Sequence, residues 1–164
     1  MGAFMRTSLL ALAVTAVLTA PAAAQTMPPA TIKTFASSGE VQQLIAKAKA
    51  DRKGDAPITV EPILSLGTYR ANLEYRPIAG PAALHDTENE LMYVIEGTGT
   101  ITMGGQMVNP TRPNPANQSA AAISGGTDMP VAKGDFIMVP HGTPHQITAV
   151  GGAPLVLMTL HMPQ

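Results

Sequence analysis

Residues Gly134 to His145 read G-D-F-I-M-V-P-H-G-T-P-H, and their order builds a turn that aims a histidine. Phe136 to Val139 is a short apolar run of strand type. Pro140 cannot donate to a sheet ladder, so the strand ends there. Gly142 permits the positive φ that a tight turn needs. His145 then opens the next strand. A histidine held by a rigid turn can ligate a metal or move a proton. A lone histidine on a strand is more often satisfied by packing and hydrogen bonds, so the matter turns on a second cluster upstream.

That cluster is His85 and Glu90 in A-A-L-H-D-T-E-N-E-L-M-Y-V-I-E-G, residues 82–97. Leu91 to Ile95 reads as a strand and Glu96-Gly97 begins its turn. The two segments together resemble the cupin family, small β-barrels with two signature motifs. The second motif runs G, five residues, P, one residue, G, two residues, H, three residues, N. Gly134, Pro140, Gly142 and His145 match it, and Ala149 stands where the asparagine would be. The first motif ends H-x-H, three or four residues, E, six residues, G. Glu90 and Gly97 fit its end and His85 fits the second histidine, which leaves Ala83 at the first. A competing alignment takes His85 as the first histidine and Thr87 as the second, one residue short of Glu90. Either way one of the family's usual four metal ligands is missing. The resemblance covers roughly residues 58–162.

The resemblance implies an all-β fold, a cupin-type antiparallel β-barrel of the jelly-roll kind. It also implies that Glu90, Met92 and Val94 share the face turned into the barrel, and that Ala83 and His85 share a face because residues two apart point the same way. A carboxylate in an apolar barrel must find a partner, or it protonates or costs several kcal/mol. A divalent metal beside His85 and His145 meets that need: two histidines and a carboxylate make the facial triad of non-haem iron sites. The expected ligands are therefore His85, Glu90 and His145, with iron, manganese, zinc, nickel or copper as the ion. In the opposing reading Glu90 pairs with Arg70 or Arg76, and the histidines act as hydrogen-bonding or acid–base groups. His161 ends the run L-V-L-M-T-L-H. It would replace the missing ligand if its face points inward, although a histidine there is more often at the rim. His141 reads as an exposed turn residue, and Arg112, the only charge between Glu96 and Asp128, as the natural partner of an anionic substrate group.

Two functions stand. One is a metal-dependent enzyme of oxygenase, isomerase or hydrolase type acting on a small molecule. The other is a non-catalytic pocket for a small ligand, and a purely structural barrel is a third possibility. The fold alone does not choose between them.

The elements that position these residues follow from the rest of the chain. Ser8 to Ala20 is apolar, preceded by Arg6 and followed by Ala22-Ala23-Ala24. This reads as a secretory signal over residues 1–24, too short to span a bilayer comfortably, and implies a periplasmic or secreted protein. Residues 25–57 form a lead and a helix, and 58–164 the barrel domain. Ser37 or Ser38 caps a helical pattern from Val41 to Lys53 that Gly54 stops. From Ile58 the period becomes two, with strands over 58–64, 66–76, 91–95, 99–103, 136–139, 145–149 and 155–161. Residues 104–133 read as a long loop, either a lid or a passive insertion.

With no cysteine, the barrel must be held by its core. The net charge of −1 and the lack of any basic run argue against nucleic acid as a partner. No membrane contact is expected after cleavage. The ten methionines are scattered, as core filler is, rather than clustered as copper ligands. The resemblance also implies a homodimer, with the segment before Ile58 as the place to look for its contact.

Overall fold

The computed structural model of the chain describes residues 32–164. The signal expected at 1–24 and the lead over 25–31 lie outside the described residues. Ser38–Asp51 forms helix α1. Ser37 is its N-cap, with extended backbone and a side-chain oxygen that accepts the Glu40 N–H. That satisfies one of the donors a helix start leaves orphaned. The helix begins three residues before Val41 because Ser38 to Glu40 supply its first turn. Gly54 takes a φ of 51° just beyond the Arg52 C-cap.

Thirteen strands follow among the described residues. β1 (Thr59–Leu66) and β2 (Tyr69–Arg76) form a hairpin whose register runs to Leu66↔Tyr69. The break expected near residue 65 therefore falls at Gly67-Thr68, where Gly67 adopts a φ of 60°. Then come β3 (Ala82–His85), β4 (Glu88–Glu96) and β5 (Thr98–Met103). The loop expected over 104–133 is instead five short strands: β6 (Gln106–Met107), β7 (Thr111–Asn114), β8 (Asn117–Ala120), β9 (Ile123–Ser124) and β10 (Thr127–Ala132). β11 (Phe136–Val139), β12 (His145–Val150) and β13 (Leu155–Pro163) complete the chain.

The strands assemble into two antiparallel sheets, ordered β1-β2-β13-β4-β11 and β10-β5-β12-β3-β8-β7, with β6 and β9 paired to each other. β8 joins β3 and β10 joins β5, so the supposed insertion supplies both flanks of the second sheet. It escapes recognition because its strands carry little apolar alternation: β7 is exposed at every position. Prolines also argue against a strand, yet Pro113 and Pro130 lie in β7 and β10, and Pro62 lies in β1. All three strands are sheet edges, where a missing N–H leaves no ladder bond broken.

Two cores hold the fold. Met92, Val94, Ile101, Val131, Ile137, Val139, Ile147, Leu155 and Leu157 fill the space between the sheets. On the outer face of the first sheet Ile63, Leu73, Tyr75 and Val156 pack with Ala48, Val41, Leu44 and Ile45 of α1. Along β13, Leu155, Leu157 and Thr159 point inward while Val156 and Met158 point to the helix side. A strand covered on both faces reads as one apolar run rather than an alternation, as β13 does. Among the described residues no helix is long and apolar enough to cross a bilayer.

Candidate metal centre

Glu90 sits on the inner face of β4 and is 3% exposed. Its neighbours in register are His161 of β13 on one side and Val139 of β11 on the other. His145 enters from the second sheet, where it pairs with Ala83 of β3 and Met103 of β5. The turn before it is pinned as the sequence requires: Gly142 has a φ of 67°, and its N–H donates to the carbonyl of His85 at 2.7 Å. His85 is the last residue of β3, so both sheets deliver their polar residues to the same end of the barrel.

The donor atoms converge. His145 Nε2 lies 3.1 Å and His85 Nε2 3.4 Å from Glu90 Oε2, and His161 Nε2 lies 3.6 Å from Glu90 Oε1. Donor atoms of His85, Glu90 and His161 all fall within 4.8 Å of one another. The cluster therefore brings the three residues expected from sequence together with His161, which faces inward. His145 stands outside the group whose donors all converge, but it is the deeper of the β12 and β13 histidines and reaches Glu90 at 3.1 Å.

The outer ring nitrogens fix which way the protons point. His145 Nδ1 lies 3.2 Å from the carbonyl oxygen of Thr143, which can only accept, so Nδ1 carries the hydrogen. His85 Nδ1 lies 2.6 Å from Asn117 Oδ1. The identity of that oxygen follows from its neighbours. The Ala116 N–H donates to Asn114 Oδ1, and Asn117 Nδ2 donates to the same atom, so the other amide atom of Asn117, facing His85, is the oxygen. When neutral, each ring thus turns an Nε2 lone pair toward the carboxylate; when protonated, each donates from Nε2 to it. Glu90 Oε2 is buried and has no hydrogen-bond partner, as is true of His161 Nδ1 and Thr159 Oγ1.

Acceptors facing acceptors in a buried site cost about 1–3 kcal/mol for each unsatisfied group. A single proton relieves two of them. A divalent cation relieves the converging donors of His85, Glu90 and His161 at once. Metal–ligand bonds of about 2.0–2.2 Å set adjacent donors roughly 3–3.5 Å apart. The histidine nitrogens lie 3.1, 3.4 and 3.6 Å from the Glu90 oxygens, and donors of His85, Glu90 and His161 lie within 4.8 Å of one another. These three residues therefore could hold a metal, and the Asn117 and Thr143 hydrogen bonds are of the kind that orients imidazole ligands.

Without metal the cluster keeps its charge by mutual pairing. Burial works to raise the Glu90 pKa, but hydrogen bonding from His145 and His85 with the nearby imidazole charges outweighs it, so the carboxyl is held well below its usual range. Burial likewise opposes protonation of His85, and Glu90 with Asn117 and Glu88 overcomes it, so its pKa is raised.

The opposing partners expected for Glu90 are otherwise engaged or out of reach. Arg76 pairs with Glu74 at 2.8 Å. Arg70 lies on β2, with β13 between it and Glu90. Arg112, expected to meet an anionic substrate group, is paired with Asp86 and also donates to the Pro115 carbonyl. His141 is exposed in its turn, as expected, where its N–H donates to Asn89 Oδ1.

A pocket of about 420 Å³ lies against the cluster, lined by Thr68, Arg70, Asn72, His85, Glu88, Asn117 and His161. Glu88 stands 3.3 Å from His161 Nδ1. Sequence reasoning missed Asn117 and Glu88, and its only use for Arg70 was as a partner of Glu90.

No protein-family model and no curated protein matches the chain. Solved structures do. The cupin domain of Cnp3 from Schizosaccharomyces pombe is similar over 71% of this chain and 72% of its own, with 11% identity and a TM-score of 0.50. The chain has the cupin fold. A Bacillus halodurans protein matches 80% of this chain and 83% of its own, at 17% identity and a TM-score of 0.53. A putative sugar phosphate isomerase from Acidithiobacillus ferrooxidans matches 79% of this chain and 75% of its own, at 20% identity and a TM-score of 0.50. At these identities the cupin fold is what is shared, and the chemistry must be argued from the cluster itself.

Proposed function

We propose that this protein is a metal-dependent cupin acting on a small molecule, with one divalent ion held by His85, Glu90, His145 and His161. The observation that carries the reading is the buried Glu90 Oε2, without a hydrogen-bond partner and faced by Nε2 atoms of two histidines. Imidazole and carboxylate donors together suit iron, manganese, zinc, nickel or copper. Bound there, the ion would supply Lewis acidity or oxygen activation. The protein's own residues do the rest. Asn117 and Thr143 keep the lone pairs of His85 and His145 aimed inward. Met92 and Val94, next inward from Glu90 on β4, close the site to water from the core side. The pocket beside His85 and His161 leaves room for substrate on the other side.

Metal analysis of protein purified without chelators tests this. Near one equivalent is expected in the wild type, with loss in His145→Ala and a marked weakening in His161→Ala. A wild type that neither carries nor takes up metal would sink the proposal and leave a pocket for a metal-free ligand. A His161→Ala variant with full affinity would reduce the set to the other three residues.

The proposal also fixes a pH dependence. His85 in the metal-free protein has a raised pKa. Its stabilising contribution is fully present below about 6.5, the unfolded value, and is lost as pH rises through the folded value. Metal needs the neutral ring and displaces that proton. The rise in Tm on adding zinc should therefore be larger at pH 8 than at pH 6. An increment that does not change across this range would remove His85 from the ligand set.

We also read the mature protein as exported and homodimeric. Ser8 to Ala20 supports the first and the family resemblance the second. The mass of protein purified from its native host and its light-scattering mass in solution check the two in turn.

A further inference from the structure

Three inner-face residues lie in a row across the first sheet. Arg70 of β2 pairs in register with His161 of β13, and His161 pairs with Glu90 of β4. Their side chains share one face, so the Arg70 guanidinium belongs to the same end of the barrel as the histidine cluster. It lines the pocket together with His85 and His161. Arg112, near this end, is neutralised by Asp86, and Arg76, at the far end of β2, by Glu74, whereas no ion pair involves Arg70 among the described residues. A guanidinium without an anion, lining the same pocket as His85 and His161, suits a planar anion.

We infer that the pocket binds a small carboxylate, its carboxyl group on Arg70 and an oxygen further along the molecule directed at the histidine cluster. This rests on the metal reading above and names the class of molecule that site would take. Two strand spacings separate the Arg70 and Glu90 backbones, roughly 9–10 Å. Once both side chains reach inward, a molecule of a few carbons bridges the gap. The rest of the lining agrees. Thr68, Asn72 and Asn117 offer neutral hydrogen-bonding groups suited to hydroxyl or carbonyl oxygens. Glu88 is the acidic side chain of the lining and stands by His161. Its charge discourages a second anionic group at that wall, which favours a monocarboxylate bearing hydroxyl or oxo oxygens over a dianion such as phosphate. Thr159, in the next row beside Asn72 and Met92, keeps a buried hydroxyl without a partner.

Lactate and its uncharged isostere lactamide test the inference, with inorganic phosphate as the dianion. Binding to the full protein is read by broadening of the ligand methyl or phosphorus NMR signal, for metal-free protein and for protein loaded with zinc. Arg70→Gln and Arg70→Lys are compared with the wild type, and zinc content is measured for each. The wild type is expected to prefer lactate over lactamide by at least tenfold. Arg70→Gln should lose that preference while keeping its zinc, and Arg70→Lys should keep part of it. Equal binding of lactate and lactamide, no binding of lactate, or a preference that survives Arg70→Gln would overturn the inference. Stronger binding of phosphate than of lactate would overturn the choice of a monocarboxylate. Failure to load zinc would instead overturn the metal reading, and the Arg70-dependent preference would then still be read in the metal-free protein.

Discussion

Glu90→Gln should divide metal binding from folding. The substitution keeps the shape of the side chain and removes its charge. Second-layer groups around a metal are worth about 10–100-fold in affinity, so removal of a direct anionic ligand should weaken zinc binding by more than about 100-fold. Stability in the absence of metal should depend on pH. The low pKa of Glu90 in the folded protein means that its ionised form is stabilising above the unfolded value of about 4.3, and that this contribution is lost as pH falls through the folded value. The variant lacks that contribution and should melt below the wild type at pH 5, where the stabilisation tied to the raised His85 pKa is also fully present. The deficit should shrink toward pH 8, as that stabilisation is lost when pH rises through the folded His85 value. Calorimetric zinc titration and thermal melts at the two pH values check both halves. Zinc affinity within tenfold of the wild type would exclude Glu90 as a ligand.

The parts of this site that were legible in the sequence are those written in backbone chemistry. Pro140 and Gly142 constrain a turn whatever surrounds it, so His145 could be placed before any packing was known. Glu90 and Gly97 mark a strand and its turn in the same way: Gly97 takes a φ of 84°, and a Cβ there would lie 2.3 Å from the Pro154 carbonyl oxygen. His161 was harder. Its strand is apolar on both faces, because one lines the barrel and the other lies under α1. Alternation shows that His161 groups with Leu155, Leu157 and Thr159, but cannot say which group points inward. The sheet order decides that.

Asn117 was illegible for a different reason. It lies in β8, a polar strand held by the β3 backbone rather than by an apolar stripe, so no periodicity marks it. Its role depends on Asn114, three residues away, and on His85, 32 residues away. Arg70 was one of two partners the sequence offered for Glu90. It does share a face with Glu90, but β13 runs between their strands.

Leu157→Ala is expected to have the largest effect on the fold itself. Leu157 is fully buried and lies on the inner face of β13 between Glu74 of β2 and Val94 of β4. Truncating such a residue removes its transfer energy and leaves a cavity, about 2–5 kcal/mol in all. For a domain of this size the melting temperature should fall by roughly 5–20 °C. Met138→Ala, at an exposed position of β11, should stay within about 0.5 kcal/mol of the wild type. The metal connects this loss to the site. A ligand that binds only the folded state adds about 2.7 kcal/mol at one hundred times its Kd. Since Leu157 pairs in register with Glu74 and Val94, four residues along β13 from His161, zinc should return the same increment to Leu157→Ala as to the wild type, and rescue much of its stability. Combined with Glu90→Gln, the same variant should gain nothing from zinc. A rescue that persists in the double variant would mean that zinc stabilises the protein somewhere other than the histidine cluster.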